Sequence, residues 1–151
     1  MRVTAKAEYA VRATLELAAG NGEPVKRDRI VAAQSIPPKF LENILAELRH
    51  AGLVESQRGS EGGYWLSRSP DEITIADVRR AVEGPLASVR SHRPETLEYE
   101  GLAEPLQVVW VALRQNIRAV LETVTVDALA SGKLPRAVVE LTKDPEAWTS
   151  Q

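Results

Sequence analysis

The chain has 151 residues, enough for one domain with a real core or a small domain plus an extension. Its formal net charge of −2 argues against a protein that coats nucleic acid indiscriminately, and the absence of cysteine removes disulfides, thiolate nucleophiles and every cysteine-bound metal or iron–sulfur site. No apolar run reaches membrane-spanning length and no signal peptide precedes the first predicted helix, so a cytoplasmic protein is expected.

"TAKAEYAVRATLELAAGNGEP" predicts a helix with Thr4 as its N-cap. Ala10, Thr14, Leu17 and Ala18 share one face, and Gly20, Gly22 and Pro24 end it. "VKRDRIVAAQS" predicts a short second helix with Ile30 and Val31 inward. A third helix follows in "SIPPKFLENILAELRHAGL". Pro38 suits its first turn, and Phe40, Leu41, Ile44, Leu45 and Leu48 form a broad apolar stripe. Gly52 closes it. "LVESQR" and "GYWLS" are strand candidates around a glycine-rich stretch, with Tyr64 and Leu66 on one side and Trp65 on the other. "TIADVRRAVEGP" predicts a fourth helix, with Thr74 and Asp77 at capping-box spacing and Gly84 and Pro85 as terminators.

Residues 85–105 show no sustained period and read as a linker or effector loop. Leu106, Trp110, Leu113, Ile117, Val120 and Val124 then recur at helical steps over about five turns, which predicts a long helix over 106–130 with one apolar seam. One short domain offers little to cover that seam, so a partner subunit is the expected cover, with packing onto its own domain as the alternative. Residues 131–151 read as short helical pieces and a frayed end.

Three helices, a strand, a glycine-rich turn and a second strand are the order of a winged helix-turn-helix. The expected fold is therefore mainly α with a small β-hairpin: a winged head over residues 1–84 and a long C-terminal dimerisation helix. The third helix would enter the major groove, presenting Lys39, Glu42, Asn43 and Ala46. Glu accepts from a cytosine amino group, Asn pairs bidentately with adenine, and Lys39 suits phosphate. The head carries 12 basic and 12 acidic residues, so its DNA affinity must come from arrangement rather than from net charge.

"MRVTAKAEYAVRA", "IPPKFLENILAELRHAGLVESQRGSEGGYWLSR" and "ITIADVRRAVEGP" resemble the Rrf2 family of bacterial transcription regulators. The resemblance covers residues 1–86 closely and resumes around Trp110 and in "TVTVDALA". It implies a homodimer on a pseudopalindromic double-stranded DNA operator. At matching positions, it implies Thr4, Lys6 and Tyr9 on phosphate, Glu42 on a base edge, and Arg58 with Gly59 in or beside the minor groove. Three departures stand out. Pro37 replaces a polar cap of the recognition helix, and Glu61 interrupts a wing tip that is usually glycine. The segment "SVRSHRPETLEYEGL", where many members hold an iron–sulfur cluster through cysteines, has none. Glu8, at a position where some relatives place a carboxylate iron ligand, is expected to face solvent or pair with Arg12.

No cofactor or metal is expected. The chain looks most like the cluster-free branch, particularly its actinobacterial members, which includes repressors of cysteine and sulfur-assimilation genes. Control there comes from a small-molecule effector or a partner enzyme of cysteine synthesis. Arg90, Arg93 and Tyr99 are candidates for an anionic effector. The alternative is a winged-helix protein-interaction module without direct DNA readout. An enzyme is not expected: the glycine-rich turn has neither the Walker lysine nor the dinucleotide-binding glycine spacing, and Ser56, Ser60 and Ser67 have no neighbouring histidine. His92 with Glu95, Glu98 and Glu100 is a weak candidate metal group, and His50 suits the recognition helix's C-terminal dipole or a phosphate.

Overall fold

A computed structural model describes residues 1–150. Helix α1 (Ala5–Ala19) starts where the Thr4 hydroxyl accepts from the Ala7 N–H at 3.2 Å. Its inner face is Ala7, Ala10, Ala13, Thr14 and Leu17. Three alanines on that face let neighbouring helices approach closely, and α1 is the hub on which the rest of the head packs. Thr14 is the one buried polar residue of the core among the described residues, and its hydroxyl donates back to the Val11 carbonyl at 2.7 Å.

Helix α2 (Arg27–Gln34) buries Ile30 and ends at Ser35, whose left-handed backbone (φ 52°) redirects the chain. Helix α3 (Pro38–His50) begins without a side-chain cap, since Pro37 has nothing to offer the first turn. Its stripe of Leu41, Ile44, Leu45 and Leu48 is fully buried, and Phe40 packs at the edge. Each such side chain contributes roughly 1.5–3 kcal/mol. Strands β1 (Val54–Gln57) and β2 (Gly63–Leu66) pair antiparallel, with Val54 opposite Leu66 and Gln57 opposite Gly63. Tyr64 and Leu66 pack on the core, whereas Trp65 lies across from Glu55 and donates to its carboxylate at 2.8 Å. A third piece, not anticipated from the sequence, completes the wing. Val25 and Tyr64 exchange two backbone hydrogen bonds of 2.8 Å, tying the α1–α2 connection to the hairpin.

Helix α4 (Ile75–Glu83) opens on the complete Thr74–Asp77 capping box. After Gly84 the chain is irregular to residue 105 but anchored, with Leu86, Pro94 and Leu97 buried. Helix α5 (Leu106–Leu121) has no fully buried residue. It ends earlier than its apolar period suggests, because Val126 N–H bonds to Ile73 O at 2.8 Å and Ile75 N–H to Val124 O at 2.9 Å. That bridge pins the turn after α5 to the start of α4. Thr125 then caps α6 (Val126–Ser131), which packs on α1. A short helix α7 (Arg136–Glu140) and an exposed tail follow. No described helix is long and apolar enough to cross a membrane.

Candidate nucleic-acid interface

The face formed by the start of α2, the exposed side of α3 and the hairpin encloses a groove of about 500 Å³. Lys26, Arg27, Arg49 and Arg58 line it with Asp28 and Glu42. Lys39 and Asn43 sit on the same exposed side of α3, since residues three and four apart share a helix face. Neither these two nor Arg58 makes a side-chain hydrogen bond or ion pair among the described residues. Arg58 stands at the end of β1, where the hairpin turns. Gly59 (φ 104°) follows, its carbonyl accepting from Lys26 at 2.8 Å. The wing turn is thereby held against α2.

The acidic residues of α3 are occupied. Glu42 is ion-paired with Arg27, and Glu47 with Lys6 at 2.8 Å. The Arg27 guanidinium is raised above its ordinary value by its hydrogen bond to Asp28 and by the charge of Glu42, so it is a permanent cation. Thr4 is half-buried. Beyond capping α1, its hydroxyl donates to Glu83, which also lies 3.1 Å from Arg79. Tyr9 stands edge-on to Phe40 at 5.6 Å and under the Arg12 guanidinium at 5.2 Å. Arg12 pairs in turn with Glu8 at 3.6 Å, the expected i,i+4 contact. The sequence pattern does not single out Lys26, Arg27 and Arg49. The "VKR" opening of α2 was the available signal, but only the tertiary fold brings it to the wing. His50 is exposed at the end of α3.

The structure does not bring the three effector candidates together. Arg90 sits on a tight turn between Val89 and His92. Arg93 lines a cleft beside α5, and the Tyr99 hydroxyl accepts from Trp110 Nε1 at 3.0 Å on another side. His92, Glu95, Glu98 and Glu100 do not converge either, for no group of three metal-type side chains is close enough to share an ion among the described residues. Of the apolar seam, Trp110, Leu113 and Ile117 line an open cavity of about 650 Å³ against Leu86, Val89 and Pro94. Leu106 and Val120 are half-buried, while Val108 and Val109 on the outer face are 69% and 53% exposed. Val124 leaves the seam. It lies past the end of α5 and is buried in its own chain at the bridge to Ile75.

The family described as "Rrf2: Iron-dependent Transcriptional regulator" matches residues 3–132. The chain belongs to the Rrf2 family. Its fold is the winged-helix fold of that family of DNA-binding transcription regulators. A protein of Mycobacterium tuberculosis named as an HTH-type transcriptional regulator is 52% identical over 151 residues, covering 99% of this chain and 94% of that one. The HTH-type regulator CymR of Bacillus subtilis is 36% identical over 132 residues, covering 87% and 91%. Its solved structure, described as the global cysteine regulator of B. subtilis, superposes with a TM-score of 0.73 at 34% identity over 88% of this chain and 98% of that one. T. potens IscR superposes with a TM-score of 0.66 at 31% identity, covering 100% and 93%.

The iron in the Rrf2 description has no fitting ligand set here. Clusters are held by cysteine thiolates, and this chain has none. In the segment where the resemblance places cluster ligands, Arg90 and Ser91 stand on an exposed turn. The 85–105 segment of this Rrf2 chain is instead held by apolar anchors and by Gln107, whose amide donates to Leu97 O at 2.6 Å.

Proposed function

We propose that the protein is a homodimeric repressor that reads a pseudopalindromic operator without an iron–sulfur cluster and answers to a metabolite or a partner enzyme. The observation that carries this reading is the groove between α2, α3 and the wing. Unpaired Lys39, Asn43 and Arg58 face outward around Glu42, which Arg27 holds in place. In this reading Glu42 and Asn43 read base edges from the major groove, and Lys39, Lys6 and Tyr9 meet phosphate with Thr4 at the end of α1. Arg58 with Gly59 enters or borders the minor groove. Glu61 lies on the exposed wing tip and lightens that grip.

The homodimer is supported by α5, which has no fully buried residue and leaves Val108, Val109 and Leu113 uncovered. In this division residues 1–84 are the head, 85–105 the effector loop and α5 the dimerisation helix. The solved relative described as a global cysteine regulator makes cysteine and sulfur-assimilation genes the regulated set of choice.

Gel shifts of the full chain on its own upstream region test the reading. Binding below micromolar with clear preference over random duplex is expected, and equal binding to random duplex refutes it. The ion pairs that occupy Lys6 and Arg27 give some support to a protein-binding head instead. Regulation in cells that survives both Arg58→Ala and Glu42→Ala would favour that alternative.

A further inference from the structure

The head and α5 meet sparsely, and between them opens a cleft of about 510 Å³. Its walls are the last turn of α4, the chain just after Gly84 and one side of α5. Four guanidinium groups line it, from Arg80, Arg93, Arg114 and Arg118, against one lining carboxylate, Glu95. Leu86 gives it a small apolar wall. Arg114 pairs with Glu95. Arg80 and Arg118 share one oxygen of Glu122, the latter at 3.1 Å, and Asp77 is 3.9 Å from Arg80. Arg93 makes no ion pair among the described residues.

Four cations therefore face three carboxylates, and two of the three, Asp77 and Glu122, stand outside the cleft wall. Both nearby glutamates are already strongly committed. Hydrogen bonds from Arg80 and then Arg118 hold the Glu122 carboxyl below its ordinary range, and a backbone hydrogen bond and Arg114 do the same for Glu95. One carboxylate oxygen cannot satisfy two guanidinium forks, each of which can bond an oxyanion through two parallel N–H donors.

We propose that this cleft binds a small ligand bearing two negative charges on oxygen, as a dicarboxylate or as a phosphate or sulfate group. Such a ligand displaces Glu122 from Arg80 and Arg118. Arg80–Glu122 is the one ion pair joining α4 to the end of α5 among the described residues, so displacement loosens α5 against α4 while the backbone bridge at Ile73 and Ile75 still holds the turn beyond it. A ligand that prefers the loosened state shifts the protein toward it. In a dimer that changes the spacing of the two heads and hence the fit to two half-sites. Only this last consequence rests on the reading of the chain as a dimeric repressor; anion binding does not.

Titration calorimetry of the full chain with sulfate, phosphate and succinate, at constant ionic strength set with chloride, tests the site. At least one of the three should bind saturably, one per chain. Arg93→Ala with Arg118→Ala should weaken it at least tenfold, and Glu122→Gln should tighten it several-fold by removing the competing carboxylate. Arg136→Ala, on the exposed α7, should leave it unchanged, with circular dichroism verifying that each variant folds. The site is overturned if none of the three anions saturates, or if Arg136→Ala weakens binding as much as the cleft variants. Gel shifts with the bound anion at fixed ionic strength test the coupling separately. An anion that binds yet leaves operator affinity unchanged overturns the coupling and leaves the site. Failure to bind any operator, with or without anion, overturns the regulator reading and not the site.

Discussion

Replacing Gly63 with alanine tests how the wing is held. Gly63 has φ 154°, where L side chains are strained, and a Cβ there would sit 2.7 Å from Val25 O and 3.0 Å from Val25 N. Those are backbone atoms and cannot swing away. Relief requires separating Val25 from the hairpin, with loss of the two 2.8 Å hydrogen bonds between Val25 and Tyr64. Two such bonds contribute about 1–3 kcal/mol together, and the backbone conformation adds roughly 1 kcal/mol. The expected cost is about 2–4 kcal/mol in urea unfolding followed by circular dichroism. Gly22→Ala is the control. Its φ is 85° but nothing lies within 4 Å, so only the backbone cost of about 1 kcal/mol applies. The wing displacement should also weaken operator binding at least tenfold, while Gly22→Ala should leave binding unchanged. If Gly63→Ala costs no more than Gly22→Ala, the wing is not clamped by Val25 and the account of its rigidity fails.

Arg58→Ala and Lys39→Ala should each lower the slope of log affinity against log salt by about 0.9, as expected when one phosphate is no longer neutralised; an unchanged slope removes that residue from the DNA face. Val109→Asp should convert the proposed homodimer to monomer in sedimentation, since Val109 is exposed on α5; a dimer that persists moves the interface elsewhere. Acid should expose the α5 contacts. The Glu95 and Glu122 pKa values are lowered in the folded chain, so both favour folding above the ordinary glutamate value of about 4.5 and lose that contribution as pH falls through their folded values. Glu95→Gln with Glu122→Gln should therefore lower the melting temperature near neutral pH and flatten its fall below about pH 4.5. A double variant that follows the parent at every pH would show that neither carboxylate contributes.

Much of the head was legible because its signals are local and periodic. The α3 stripe repeats at helical spacing, Gly52 takes the φ 79° that a helix end requires, and Thr74 and Asp77 form their capping box within four residues. The unseen parts are held by contacts between distant segments. Val25 joins the hairpin through its backbone alone, which leaves no trace in side-chain pattern. Val124 continues the period of α5, yet the bridge to Ile73 and Ile75 takes it into its own core. In 85–105, the anchors Leu86, Pro94 and Leu97 are spaced without a period, so a loop with fixed contacts reads as a bare linker. On the candidate DNA face, the residue types on α3 were visible. That Arg27 and Lys6 hold Glu42 and Glu47 depends on helices crossing, and sequence spacing does not encode it.

The central claim is sequence-specific DNA recognition by α3 and the wing. Competition anisotropy on a labelled operator from the protein's own upstream region, at fixed physiological salt, measures it most directly. The account predicts a preference of at least about a thousandfold over scrambled duplex, with Glu42→Ala relaxing discrimination at a cytosine-bearing base pair in each half-site. Equal competition by scrambled duplex, or a Glu42→Ala variant with the parent's full base preference, would contradict it.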